Sequence, residues 1–191
     1  SSFTQLSQVS YVGGVAVLSD PAYYIEDLSK VNNEYLTFDT GDVNGEMTMV
    51  VDSLDFGGSE GQVSITGGGV VHLYIRNSGT ESTIDNPIYV NAGGGGTLFI
   101  YLEAGAILGF QSNADVTAYI YGPDATLEIQ SDQTIIRGSM IVEIIDRGNP
   151  NGPHGVFYYV PLTDDIETNV NRGYTKREYI NNYDFSSIAG E

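Results

Sequence analysis

Few residues in this chain combine the type and the spacing that catalysis needs. The two histidines, His72 and His154, lie far apart in the sequence, one in an apolar strand pattern and one in a glycine-proline loop. Because His72 alternates with Val71 and Leu73, we predict that its ring faces solvent from a strand. No serine lies in a nucleophile-elbow pattern, so the sequence does not support serine hydrolysis.

Three aspartates, Asp115, Asp124 and Asp132, recur near turns in the second half of the chain. Paired carboxylates carry out glycoside cleavage, and a lyase would also need a basic neighbour, but only Arg137 lies in this region. Aspartate side chains also bond nearby backbone amides in turns, and this is the favoured interpretation. An acid pair beside a base on one strand face would instead indicate an enzyme.

Residues 39–46, with the sequence DTGDVNGE, place oxygen ligands at alternate positions and glycines where the chain must bend. Calcium prefers such ligands, so the candidate metal ligands are Asp39, Asp42, Asn44 and Glu46. The segment does not match the full EF-hand pattern, and an ordinary acidic turn is favoured. Calcium is the one cofactor that the sequence leaves open, and we expect no other.

A repeat organises the chain around these residues. The apolar tetrads that begin at Phe99, Ala118 and Met140 recur about every 20 residues, with glycine, asparagine and aspartate between them. One coil cannot bury its own apolar face, whereas stacked coils share a core and pair their backbone groups. We therefore predict an all-β, single-domain parallel β-helix, or β-solenoid. Its predicted inward residues are Ile100, Leu102, Leu108, Phe110, Ile120, Leu127, Ile129, Ile136 and Ile141.

The segment 20–36 departs from this pattern. Asp20-Pro21 can cap a helix, and apolar residues from Tyr24 to Tyr35 follow at helical spacing. We predict one helix here that covers the open end of the core. The predicted organisation is one domain, 1–191, with a capping helix over 20–36, coils over 37–161 and a C-terminal covering segment over 162–191.

Two insertions, 77–87 and 146–155, are rich in turn residues and predict loops that stand out from the solenoid. Exposed loops on a rigid scaffold are favoured sites of recognition. Tyr89 and Tyr158 adjoin these insertions and are the candidate binding residues for a sugar or a peptide. Ordinary packing within a strand is the alternative use of both rings.

Charge and composition restrict the partners. With 25 acidic and 7 basic residues, the net charge of −18 disfavours nucleic acid and anionic membranes, because both bind through lysine and arginine. No cysteine is present, which excludes disulfides and thiolate metal sites. No apolar run is long enough to span a bilayer, so we expect no direct membrane insertion of this segment. An acidic surface keeps an extracellular or salt-exposed protein soluble, and we favour this interpretation over a cation store.

The run from Val116 to Ile145 resembles the core of the surface domains of unknown function that accompany type IV pilus-assembly genes (PilX-like). The likeness lies in Tyr121–Ala125, Leu127–Ser131 and Gly138–Val142, which read YGPDA, LEIQS and GSMIV. It implies a right-handed parallel β-helix displayed outside the cell, with no enzymatic residues. The chain has a weaker likeness to bactofilin-type polymer-forming solenoids.

From these observations we expect a non-enzymatic cell-surface or pilus-associated structural or adhesion module in an extracellular location. Its partner would be a surface protein or a carbohydrate. Two alternatives stay open: a carbohydrate-active β-helix enzyme, either a polysaccharide lyase or a glycoside hydrolase, and a polymer-forming scaffold.

Overall fold

The computed structural model describes residues 2–58, 60–85, 89–90, 95–112, 114–146 and 155–159, and these form strands and turns without a helix. Contacts within the chain divide it after Tyr159, so the fold below is that of the first unit, Ser1–Tyr159. The strands are β1 (Thr4–Gln8), β2 (Val15–Leu18), β3 (Ala22–Lys30), β4 (Glu34–Asp39), β5 (Glu46–Phe56), β6 (Gly61–Thr66), β7 (Val70–Ile75), β8 (Ser82–Ile84), β9 (Tyr89–Val90), β10 (Thr97–Leu102), β11 (Ile107–Phe110), β12 (Asp115–Ile129), β13 (Ile135–Asp146) and β14 (Val156–Tyr159).

Parallel pairing between successive coils builds a β-solenoid, as the repeat predicted, and the solenoid has about five turns. We name its three sides by their strands. The first wall contains β1, β7 and β10, the second wall β8 and β11, and the third wall β2, β4, β6, β9 and β14. The long strands β3, β5, β12 and β13 bend at corners and contribute to more than one wall.

Equivalent side chains of successive coils stack into ladders inside the solenoid. One ladder on the first wall runs through Tyr23, Met49, Leu73, Ile100, Ile120 and Met140. Of the predicted inward residues, Ile129 is partly buried against the core, and seven are fully buried in it: Ile100, Leu102, Leu108, Phe110, Ile120, Leu127 and Ile136.

The prediction for Ile141 is wrong. Its side chain is 45% exposed, because Ile141 pairs with the outward-facing Tyr121 while Met140 and Val142 pack against the core. Side chains alternate along a strand, so an error of one residue in the register moves a side chain to the other face.

The predicted capping helix over 20–36 is also wrong, because β3 and β4 occupy this segment. β3 pairs with β1 on one side and β5 on the other, and this tertiary pairing outweighs the helical spacing of its apolar residues. Ile25 and Leu28 both face the core because the strand turns a corner between them. Among the described residues there is no helix with the length and apolar character that crossing a membrane requires.

The insertions differ in how far they match the prediction. Ser82 and Ile84 of β8 are buried in the second wall, so only part of 77–87 is a loop. Residues 147–154 lie outside the described residues, as does the predicted covering segment 162–191, which stays a prediction.

A buried lysine connects two neighbouring turns. Lys30 is 0% exposed, and its ammonium group donates to the carbonyl oxygens of Val31 at 2.8 Å, Glu60 at 3.1 Å and Gly57 at 3.3 Å. Burial lowers the pKa of Lys30, and the charge of Glu34 partly opposes this shift. Three donors meeting three backbone acceptors satisfy the group and tie one coil to the next.

Replacing this lysine tests its structural role. We expect Lys30→Met to lower the free energy of unfolding by about 1–3 kcal/mol, because it removes the charged hydrogen bonds from Lys30 to the carbonyl oxygens of Val31, Gly57 and Glu60. Urea denaturation followed by circular dichroism measures the change. Val31→Ala is the matched control, since Val31 is 57% exposed and should matter little. Equal midpoints for Lys30→Met and wild type would contradict the proposed role.

Candidate functional site

The outer surface of the first wall carries two neighbouring ladders of aromatic side chains, which we call the aromatic face. One ladder contains His72, Phe99 and Tyr119, and the other contains Tyr74, Tyr101 and Tyr121. They alternate in the strands with core residues such as Leu73 and Ile100, and this alternation points them outward.

The rings of the aromatic face stack on one another along the solenoid. Ring centroids lie 4.5 Å apart for Tyr74 and Tyr101, 5.2 Å for Phe99 and Tyr119, and 5.4 Å for His72 and Phe99. Because the planes are close to parallel, the ring faces contact each other. Tyr74 and Phe99 are only 3% and 7% exposed. The aromatic face therefore stabilises the wall more than it offers an open platform.

His72 faces outward from its strand, but it is half-buried within the aromatic face. Its Nδ1 lies 3.2 Å from the hydroxyl oxygen of Tyr101. Burial lowers the pKa of His72, and the charge of Glu46 opposes this shift. A neutral ring at neutral pH follows, and such a ring can accept the tyrosine proton in a hydrogen bond.

Charged residues follow the aromatic ladders at the end of the first wall. Arg76 Nη1 lies 2.9 Å from Asp52 Oδ1, and the Tyr24 hydroxyl donates to the other Asp52 oxygen at 2.5 Å. On the opposite side of Arg76, Glu103 continues the pairing of β10 with β7, since its amide donates to Ile75. Asp52, Arg76 and Glu103 thus lie at equivalent positions of three coils, with Arg76 paired to Asp52, and we call this row the charged ladder.

The sequence analysis did not predict the charged ladder, because Arg137 was the only basic residue that it placed near acidic residues. Its three members come from three different coils. Only an alignment of the uneven coils would have shown that these positions coincide.

Within the described residues, Arg76 Nε is the buried side-chain polar atom that lacks a hydrogen-bond partner.

The third wall presents tyrosines to solvent, in contrast to the aromatic face. Tyr35 of β4 is 48% exposed, and Tyr158 of β14 is 54% exposed. The guanidinium of Arg137 lies 5.9 Å from the centroid of the Tyr158 ring and forms an ion pair with Asp115. We call Tyr35, Asp115, Arg137 and Tyr158 the third-wall surface.

The two tyrosines singled out as binding candidates both lie on the third wall. Tyr158 belongs to the third-wall surface itself. The backbone of Tyr89 pairs with Gln62 on one side and Asp115 on the other, while its side chain lies outside the described residues. The register of the strands thus places Tyr89 and Tyr158 on the same wall, whereas the sequence analysis associated each of them with a different loop.

The candidate calcium segment has the geometry of an acidic turn. Asp39 Oδ1 accepts the amide of Gly41 at 3.1 Å, and Asp42 Oδ1 accepts the amide of Asn44 at 2.7 Å. Glu46 begins β5. Throughout the part of the chain that the structure describes, no three or more His, Cys, Asp and Glu side chains form a group that could hold a metal ion.

The three repeated aspartates serve different purposes. Asp115 pairs with Arg137, so that arginine has one acid partner instead of an acid pair. Asp124 lies inside β12, where its carbonyl accepts the amide of Gly105 at 2.7 Å. Asp132 lies in the turn between β12 and β13, as predicted. His154 falls outside the described residues.

Comparison with known proteins identifies a family for this chain, but the function of that family is unknown. Residues 2–166 match a family model described as a domain of unknown function, DUF7305. No curated protein and no solved structure matches the chain.

Protonation of His72 should make stability depend on pH. The pKa of the folded state is lowered, so the unfolded chain binds this proton more readily, and stability should fall as pH drops below about 6.5. We expect His72→Phe, which keeps a stacked ring, to flatten the slope of unfolding free energy between about pH 7 and pH 5. The difference in slope is at most about 1.4 kcal/mol per pH unit for one proton.

Urea titrations at several pH values measure this slope. His154→Phe, which removes the other histidine, shows how much of it comes from elsewhere. Identical slopes for wild type and His72→Phe would show that burial of His72 has no consequence for stability.

Proposed function

We propose that this chain, which belongs to the DUF7305 family of domains of unknown function, is a right-handed parallel β-helix that serves as a non-enzymatic adhesion module at the cell surface or on a pilus. The right-handed sense agrees with the general preference of connections between parallel strands. An extracellular location suits a net charge of −18, which favours solubility and discourages binding to nucleic acid.

The third-wall surface is the observation that carries this proposal. Tyr35 and Tyr158 are about half exposed on the same wall, and their backbones are held by parallel pairing with neighbouring coils. Large rings on a rigid frame lose little conformational entropy when a partner covers them. An exposed tyrosine also combines an apolar ring with a hydroxyl, which suits a carbohydrate or a protein surface.

Arg137 makes this surface selective. Its guanidinium spans the Tyr158 ring and the Asp115 carboxylate, so it fixes both groups in one orientation. Arginine over an aromatic ring is favourable, and the ion pair with Asp115 limits its freedom. A partner that contacts Tyr158 therefore meets an ordered polar group beside an apolar ring, an arrangement common at the centres of interfaces.

Binding measurements test the third-wall surface. We expect the wild-type protein to bind either to an array of surface oligosaccharides or to purified pili of the source organism. Tyr35 and Tyr158 stand on distant coils of one wall, so we expect a partner that covers the whole wall. Tyr35→Ala and Tyr158→Ala should then each weaken this binding by about tenfold, since truncation of an aromatic contact residue can cost more than 1 kcal/mol. Surface plasmon resonance measures the dissociation constants.

Val43→Ala is the matched control, because Val43 is 71% exposed in the turn that follows β4 and is not part of the third-wall surface. Labelling of intact cells with an antibody against the protein tests its location independently. Labelling only after lysis would contradict the surface assignment, and unchanged affinity in both tyrosine variants would contradict the binding surface.

A second function, that of a carbohydrate-active enzyme, is favoured by the charged ladder of Asp52, Arg76 and Glu103. Glycoside hydrolases need two carboxylates that flank the scissile bond, and lyases need a base beside acidic groups. Here the two acids lie on either side of Arg76, on coils two steps apart. Against this function, Asp52 is engaged by Tyr24 and Arg76, and Glu103 accepts the Asn77 amide at 2.6 Å.

Activity assays distinguish the second function from the first. If the charged ladder is catalytic, a panel of polysaccharides should yield reducing ends or unsaturated products with wild type. Asp52→Asn and Glu103→Gln should then each lower the rate at least about a hundredfold, as loss of a general acid or base does. Asp55→Asn, on the neighbouring second wall, is the control. Absence of turnover with every polysaccharide would eliminate this alternative.

A further inference from the structure

Tyr74 and Tyr101 form a closely stacked pair of phenol rings. They are register partners on β7 and β10, so they project from equivalent points of two successive coils. Their centroids lie 4.5 Å apart with an interplanar angle of 12°, closer than the 5.2 Å of Phe99 and Tyr119 or the 5.4 Å of His72 and Phe99. Parallel stacking at this distance brings the carbon atoms of one ring against those of the other.

A proton acceptor lies beside this pair. His72 Nδ1 is 3.2 Å from the Tyr101 hydroxyl oxygen, and the His72 ring also stacks near Tyr101 with a centroid distance of 5.9 Å. Phe99 and Thr48 occupy the equivalent positions of the neighbouring coils and carry no charge. Burial lowers the pKa of His72 and Glu46 opposes the shift, so the ring is available as a base at neutral pH.

We propose that Tyr74 and Tyr101 form a site of oxidative modification, at which a one-electron oxidant such as the ferryl haem of a peroxidase joins the two rings as dityrosine. Two equivalents of the oxidant each accept one electron. Tyr101 gives its phenol proton to His72, which releases it to water, and Tyr74 also loses its phenol proton, which ends in bulk water. The two phenoxyl radicals then couple through ring carbons ortho to oxygen.

The chemistry balances without another reactant. One carbon-carbon bond forms, and the hydrogen on each coupled carbon moves to its phenoxyl oxygen as the rings regain aromaticity. The product has lost two electrons and two protons in total. It links two coils covalently, so it should restrict the unfolded chain and raise the thermal midpoint, as other cross-links do.

Geometry, and not exposure, should determine where this link forms. Tyr35 is 48% exposed and more open to an oxidant, yet it has no ring neighbour among the described residues. Tyr74 is 3% exposed but has a phenol in contact. An oxidised tyrosine without a nearby partner must instead react between molecules, which dilution suppresses. The proposal thus goes beyond adhesion and concerns the oxidative stabilisation of the solenoid.

Photo-oxidation of the full chain with tris(bipyridine)ruthenium(II) and persulfate tests the proposal, because it generates a one-electron oxidant in solution. At low protein concentration we expect monomer that has lost two hydrogens and shows dityrosine fluorescence. Trypsin cleaves after Arg76, so the two tyrosines fall in separate peptides, 31–76 and 77–137. Mass spectrometry should find these peptides joined at Tyr74 and Tyr101.

Variants separate the pair from other tyrosines. Tyr101→Phe and Tyr74→Phe keep the ring stack and should each abolish the joined peptide, while Tyr35→Phe should leave its yield unchanged. His72→Phe keeps the stack without the base and should slow formation several-fold at neutral pH. Circular dichroism verifies that each variant is folded. A link that maps to other tyrosines, that forms only between molecules or that persists in Tyr101→Phe would overturn the proposal.

Discussion

Parallel pairing of successive coils in register is the interaction on which the rest of this structure depends. Strands in such a ladder lie about 4.8 Å apart, so each side chain meets its counterpart in the next coil almost directly. The same rule produces the inner ladder through Leu73 and Ile100, the outer ladder through Tyr74 and Tyr101, and the charged ladder around Arg76. In a solenoid, side chains at equivalent positions of successive coils therefore form continuous rows. The type of side chain in a row determines whether that wall packs, pairs charges or faces a partner.

Much of the fold could be predicted from the sequence where the coils are short and regular. Burial of Ile100, Leu102 and Ile120 follows from the tetrads that begin at Phe99 and Ala118. The failures arose where local pattern and tertiary pairing disagree. The helical spacing from Tyr24 to Tyr35 does not mark one face, since Leu28 is buried while Val31 and Tyr35 are exposed. Only the two strand neighbours of β3 reveal its extended conformation. The error at Ile141 has a different cause. A shift of one residue in the assumed register of a strand exchanges its inward-facing and outward-facing side chains.

The candidate sites were harder to predict for a related reason. Tyr158 was named, but its wall partner Tyr35 belongs to the segment that was predicted to be helical. Asp52, Arg76 and Glu103 are separated by whole coils of unequal length, so no local motif joins them. The repeat period of a solenoid can be read from its sequence more easily than the register between individual coils. A site whose residues come from several coils can be predicted only when that register is known.

The aromatic rings of the first wall contribute to stability, whereas those of the third wall are available for recognition. On the first wall, ring faces contact one another, so burial of Tyr74 and Phe99 adds apolar contact outside the core. Those rings cannot also stack on a ligand without losing their neighbours. On the third wall, Tyr35 and Tyr158 stand on coils far apart along the solenoid, so neither can stack on the other. Their exposure follows from that separation, and it is what leaves the third wall available to a partner.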